Sequence, residues 1–430
     1  MLHRISIAAL AAAAFAALAA SPASADSEKR DVRFATFNAS LNRAAAGQLI
    51  GDLSDPSADT VRVRQASNVA EVIQRIAPDV VLINEFDFDE SGQAARLFRD
   101  NFLARPQNGA PAARYPYVFT APSNTGVPSG FDLDNNGDTN PNDAGNDAFG
   151  FGLFPGQFGM VVYSKYPIDY DRVRTFQHFL WKDMPGARLP DDPSTAAPAD
   201  WYSPEELNVF RLSSKSHWDV PIQIEGTTVH FLTSHPTPPV FDGPEDRNGT
   251  RNADEIRLTS DYITPGRGDY IYDDEGHRGG LDPSALFVVA GDQNSDPFDG
   301  DSLKDADGNP IAIQPLLNSP RVNSSNPPTS AGGPEATEKQ GGVNLQHVGP
   351  SATDTADFSE PPGNLRADYL LPRRNIKIRG SGVFWPVQSD PLFRLTGVFN
   401  AANWGAVGGF PTSDHRAIWA DLELPGESPR

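Results

Sequence analysis

Val80-Val81-Leu82-Ile83-Asn84-Glu85 decides how this chain is read. Four consecutive apolar residues suit a strand covered on both faces, and they stop abruptly on an amide and a carboxylate. Just upstream, Ala66, Val69, Ile73 and Ile76 share one helical face, and Pro78 ends that helix before the strand begins. Working outward, short apolar runs recur at residues 32–37, 159–164, 229–234, 286–290, 368–371 and 417–424. A second helix is expected to begin near Asn252, with Ile256 and Ile263 on a common face. Strand–helix–strand at the front with mixed strands later predicts an α/β sandwich in one domain, spanning residues 26–430. Three stretches rich in Gly, Pro, Asn and Asp, at 123–155, 183–204 and 305–363, read as long loop insertions.

Composition narrows the chemistry. The 430 residues carry 35 Lys+Arg against 56 Asp+Glu, a formal net charge of −21, and no cysteine. Zero Cys excludes disulfides, thiolate metal sites and a cysteine nucleophile. So acidic a protein repels phosphate backbones unless a cation or a local basic pocket intervenes. The start reads as a Sec-type signal peptide over residues 1–25. His3 and Arg4 are its basic start, residues 5–20 its apolar stretch, and Ala23-Ser24-Ala25 its cleavage site. No Cys follows for lipidation, so the expected location is secreted or periplasmic, without stable membrane insertion.

The polar residues that close the strands carry the chemistry. In order they are Asn38, Asn84-Glu85, Ser234-His235, Asp292-Gln293-Asn294, Asp368 at the entry of its strand, and Asp414-His415 before the last. Taken singly, each is an ordinary turn former or helix cap. Acids, amides and imidazoles gathered at one rim are how α/β enzymes build sites.

This ordered set resembles the endonuclease/exonuclease/phosphatase superfamily across residues 34–422. The resemblance implies a deoxyribonuclease I-like fold, a four-layered α/β sandwich of two packed mixed β-sheets flanked by helices. It also implies roles. Glu85 looks like the principal carboxylate ligand of a catalytic Mg²⁺ or Mn²⁺, with Asn38 beside it and Asp414 completing the metal shell. Asp292 matches the residue that activates or positions the attacking water and adjoins the metal. Asn294 matches a phosphate-oxygen ligand, His415 the imidazole on the scissile phosphate, oriented by Asp368, and His235 a second phosphate-binding His. Two positions depart from the usual pattern: Asn84 stands where a Gln is usual, and Gln293 sits inside the Asp292 motif. The residue types make chemical sense without the family. A hard cation held by oxygen ligands neutralises phosphate charge, a carboxylate aligns water, and a carboxylate-oriented His stabilises the transition state.

Further features lie outside that set. Asp132, Asp134, Asn136 and Asp138, with Gly137 and Asp143, have the spacing of an EF-hand-type Ca²⁺ loop without its helices. Arg247, Arg251, Lys215 and His217 are candidate substrate-phosphate ligands, with ion pairs to Glu245 or Asp254 as the alternative for the arginines. Trp181, Phe149, Phe151 and Phe154 are candidates for a substrate wall. With 7 Lys and no basic run longer than two, the cations suit a small ester better than a polymer. The expected function is an exported divalent-metal-dependent phosphoesterase hydrolysing small phosphate mono- or diesters by direct attack of water. An extracellular nuclease and a sphingomyelinase-like phospholipid phosphodiesterase are the alternatives. Nucleic acid enters only as substrate, and no protein partner is expected.

Overall fold

The computed structural model describes residues 31–138, 145–196, 199–358 and 361–425. The expected signal peptide and Asp143 of the calcium loop lie outside the described residues. In chain order the strands begin with β1 (Asp31–Leu41), β2 (Val80–Phe86), β3 (Tyr117–Phe119) and β4 (Met160–Ser164). Next come β5 (Arg174–Thr175), β6 (His217–Ile224), β7 (Thr227–Ser234) and β8 (Leu286–Asp292). The last are β9 (Ala356–Asp357), β10 (Asn364–Leu365), β11 (Asp368–Pro372), β12 (Lys377–Val383) and β13 (Ile418–Glu423).

Two mixed sheets result, one in the order β12-β13-β1-β2-β4-β3 and the other β11-β8-β7-β6-β5. β1 runs parallel to β2 and β7 parallel to β8, while the other pairs are antiparallel. The apolar runs are continuous because both faces of each sheet are covered. Val32, Phe34, Val80, Leu82, Val288 and Ala290 point into the layer between the sheets. Alternate residues point outward, Ala35, Phe37, Val81 and Ile83 toward one helical layer and Phe287 and Val289 toward the other. At the centre the rings of Phe34 and Phe231 meet at 5.4 Å between centroids.

The helix Val61–Ile76 is capped by the Thr60 hydroxyl, which accepts from the Val63 N–H, and it ends where Ala77 turns left-handed before Pro78. Ala66, Val69, Ile73 and Ile76 bury the expected face. The second long helix runs Arg247–Ile263, so it starts five residues before the expected Asn252. Its first turn is polar and shows no apolar period. Asp242 caps it from upstream by accepting the Asn248 N–H at 2.7 Å. The expected loop at 305–363 is also more structured than its composition suggests. It holds the short helices Gln314–Leu317 and Gly332–Gln340 and the strand β9.

Replacing Phe34 by Ala removes a ring from the middle layer and leaves a cavity. The expected cost is about 3–5 kcal/mol, measured as a lower urea midpoint with an unchanged m-value.

Candidate active site

Register brings the strand ends together. β1 and β2 place Asn38 beside Asn84, and β8 and β11 place Asp292 beside Asp368. Asn84 bridges the two sheets: its carbonyl accepts the Asp292 N–H at 3.2 Å and its amide donates to Ser234 O at 3.4 Å. The Asn38 amide donates to Glu85 Oε1 and to Asp292 Oδ2, both at 3.0 Å. Asp292 also accepts the Asn294 N–H at 2.8 Å. Glu85 and Asn294 both sit in the left-handed region, at φ 57° and 50°. Asn tolerates that conformation, but Glu does not favour it, and such strain is typical of sites that aim a side chain.

Two imidazoles flank the Asp292 carboxylate. His415 Nδ1 donates to Asp368 Oδ2 at 2.8 Å, and its Nε2 lies 3.5 Å from Asp292 Oδ2. Burial disfavours a charged ring, but Asp368 and Asp292 outweigh it and raise the His415 imidazole well above its ordinary value. His235 Nε2 lies 3.3 Å from the same Asp292 oxygen. Its burial, with the nearby Lys215 ammonium, lowers it to about 4, so at neutral pH this ring is uncharged. Asp292 is itself buried, yet the two imidazoles hold its carboxyl far below the usual carboxylate range.

Glu85 decides whether a hard cation fits here. It faces the cleft, but burial of its carboxyl and the neighbouring Asp414 push it up to about 7. A carboxyl raised by an adjacent acid is one that a divalent cation would ionise. Glu85 and Asp292, bridged by the Asn38 amide, and Asp414, whose charge acts on Glu85, are the hard oxygen groups at this rim that would hold such an ion. Asp292, Asp368 and His415 also bring ligand atoms within 4.8 Å of one another. A protonated His415 hydrogen-bonded to Asp368 has no lone pair to offer, so that trio is an acid–base chain and not a metal cradle.

The model of the Endonuclease/Exonuclease/phosphatase family matches residues 35–415. The chain belongs to this family. The family's members are divalent-metal-dependent phosphoric ester hydrolases, and this chain is an enzyme of that class. No curated protein matches it. Among solved structures it is similar to an endonuclease/exonuclease/phosphatase from Beutenbergia cavernae, with 17% identity, TM-score 0.47, and 92% of this chain and 72% of that one covered. It is also similar to sphingomyelinase C from Streptomyces griseocarneus, with 14% identity, TM-score 0.42 and coverage of 91% and 99%. A third is the mannosyl-6-phosphatase of Bacteroides thetaiotaomicron, with 11% identity, TM-score 0.41 and coverage of 91% and 100%.

In this family member, Asn38, Glu85, His235, Asp292, Asn294, Asp368, Asp414 and His415 gather at one rim, as the sequence led us to expect. Asn294 also donates to Pro236 O, which ties it to the loop after β7. Three of the four candidate phosphate ligands are otherwise engaged. His217 bonds to Ser213 Oγ and Glu255 O, and burial lowers it to about 4, so it is a structural residue. Arg251 gives Nε and Nη2 to the carbonyls of Leu212, Phe149 and Arg211, holding loops together. Arg247 lines the cleft but is paired with Glu245. Lys215 remains: its ammonium has no hydrogen-bond partner among the described residues and lines the cleft. Burial lowers its pKa against the pull of Glu255, Glu85 and Asp292. Trp181 is core, donating to Asp254, and so is not a substrate wall.

Two residues escaped the sequence reading. Glu255 accepts the Ser214 and Thr237 N–H groups at 2.7 Å each, fastening the loops that carry Lys215 and His235. Thr355 donates to Asp368 Oδ2 at 2.8 Å while accepting the Ala367 and Asp368 N–H groups. The calcium loop is altered too. Asp132 accepts the Asn136 and Gly137 N–H groups and Asn136 Oδ1 accepts the Asp138 N–H, while Asp147 brings a third carboxylate within 4.8 Å of those of Asp132 and Asp134.

The Glu85 shift predicts a pH dependence of cation binding. Below pH 7 a proton occupies the carboxyl that the ion needs, so apparent Mg²⁺ affinity should fall about tenfold between pH 8 and pH 6. Calorimetric titration at the two pH values checks this, and Glu85→Gln should remove most of the dependence.

Proposed function

We propose that this chain is an exported, divalent-metal-dependent phosphoesterase that hydrolyses small phosphate mono- or diesters by direct attack of water. The observation that carries the reading is the buried Asp368–His415–Asp292 chain beside Glu85 and Asn38, on the floor of a cleft of about 1160 Å³. A carboxylate held as acidic as Asp292 is a weak base, so its work is to align the attacking water. The protonated His415, held by Asp368, donates to a phosphate oxygen as charge builds there. Asn294 and Lys215 supply further donors for the phosphate. Glu85, Asn38 and Asp414, with Asp292, would hold Mg²⁺ or Mn²⁺, which when bound neutralises charge on the phosphate oxygens. Net charge −21 and the lack of a basic stripe support a small substrate over a polymer. No helix among the described residues is long and apolar enough to cross a membrane. Export rests on the leader-like start at residues 1–25.

An assay panel tests the reading: p-nitrophenyl phosphate, bis-p-nitrophenyl phosphate, plasmid DNA, RNA and sphingomyelin, with Mg²⁺ or Mn²⁺. The small esters should be cleaved fastest, and plasmid cleavage that outruns both would move the assignment to a nuclease. Asp292→Asn and His415→Ala should each lower kcat by about 10²-fold or more, with circular dichroism unchanged. The Asp132, Asp134 and Asp147 carboxylates are read as a Ca²⁺ site that ties down the insertion. Calcium should therefore raise the melting temperature of the wild type and not of Asp132→Ala/Asp134→Ala.

A further inference from the structure

The packing of the two sheets orders the cleft from end to end. β13 packs on β11, β1 on β8 and β11, and β2 on β8, with β6 beyond β7. His415 and Asp368 therefore stand at one end, Asn38 and Asp292 in the middle, Glu85 and His235 next, and Lys215 at the far end. Apolar surface extends past both ends. Beside His415, the Phe358 ring meets the imidazole edge-on at 5.3 Å, and Phe399 and Phe410 lie together at 5.9 Å. Beyond Lys215 lie the pairs Phe151–Phe158 at 6.4 Å and Tyr202–Phe210 at 4.7 Å. A Cβ on Gly150 would fall 1.8 Å from Ser214 O, so the segment carrying Phe151 lies directly against the Lys215 loop. All seven of these aromatic residues line the cleft that holds the catalytic groups. Phe151, Phe399 and the neighbouring rim residue Phe241 are 59%, 62% and 86% exposed. Scattered exposed rings mean little, but rings collected round one concave site mark a ligand surface.

We propose that the preferred substrate is a phosphodiester with an organic group on each side of the phosphorus, at least one of them an apolar alkyl, acyl or aryl chain. The inference rests on the phosphoesterase reading and narrows it. The phosphate sits over Asp292 and His415, and one ester group enters each apolar wing. A monoester leaves one wing empty. Water adds to phosphorus, one ester P–O bond breaks, and the leaving alkoxide takes a proton from the water, giving an alcohol and a phosphomonoester. The walls argue against a polyanion. Asp296 and Asp301 line them, while Arg247 and Arg251 are already engaged.

The test uses methyl, butyl and octyl p-nitrophenyl phosphates below their micelle concentrations, with p-nitrophenyl phosphate and a single-stranded oligothymidylate alongside, all with Mg²⁺. A fully buried methylene is worth a factor of about four, so partial burial of the chain should raise kcat/KM at least tenfold from methyl to octyl. Of Phe151→Ala and Phe399→Ala, the one in the wing that takes the alkyl chain should lower the octyl-to-methyl ratio at least fivefold, and the other should slow the methyl and octyl esters alike; a ratio unchanged in both variants overturns the inference. Phe298→Ala, a half-exposed ring outside the cleft, should leave the ratio unchanged. A flat profile with the methyl ester still cleaved overturns the inference and leaves the phosphoesterase reading standing, as does faster cleavage of p-nitrophenyl phosphate or of the oligonucleotide. If the wild type turns over none of these esters faster than Asp292→Asn does, both readings fall.

Discussion

Keeping the Asp292 carboxylate ionised and out of water is the constraint on which the site depends. An unpaired buried carboxylate would take up a proton instead of staying charged. Here the cost is offset by two imidazoles, the Asn38 amide and the Asn294 N–H, all converging on one side chain. Each of those groups sits on a different strand end or loop, so the carboxylate acts as a common anchor for both sheets. Asn84 secures the arrangement from below, because it satisfies the Asp292 N–H and a β7 carbonyl with one amide.

Charge is distributed unevenly round that anchor. His415 carries a proton between two carboxylates, while His235, a similar distance from Asp292, is neutral because Lys215 and burial oppose its ionisation. The two rings thus have different work available to them. One has a proton to donate, and the other offers an uncharged imidazole. Such a separation of two chemically identical groups by their surroundings is how a site assigns acid and base roles at one pH.

Much of this was legible in the sequence, for a physical reason. Runs such as Val80–Ile83 and Leu286–Ala290 are apolar on both faces because helices and a second sheet cover both sides, and their polar stops are the candidate site residues. β12 showed no such run: it is an outer strand with Gly380 and Gly382, and Lys377 and Arg379 sit on its exposed positions. The carboxylates and His415 that gather at the rim were readable, but the uses of His217 and Arg251 were not. Apart from Ser213 Oγ on His217, their partners are backbone carbonyls brought near by packing, and no residue type records where a carbonyl will be. Glu255 hid for the same reason, being a helix residue whose work is to accept N–H groups from two distant loops. Asp147 went unread because it is fifteen residues from Asp132, outside the spacing of a calcium loop.

The Glu255 anchorage also bears on how the enzyme can change. It holds the roots of two loops, at Ser214 and Thr237, and leaves the following Pro238-Pro239-Val240-Phe241 segment projecting over the cleft. The tip can therefore accept substitutions without disturbing the registration of Lys215 or His235. Selectivity and reactivity are mechanically separated within one short stretch of chain. A lineage can drift from one ester to another at the tip while the hydrolytic apparatus beneath it stays in place.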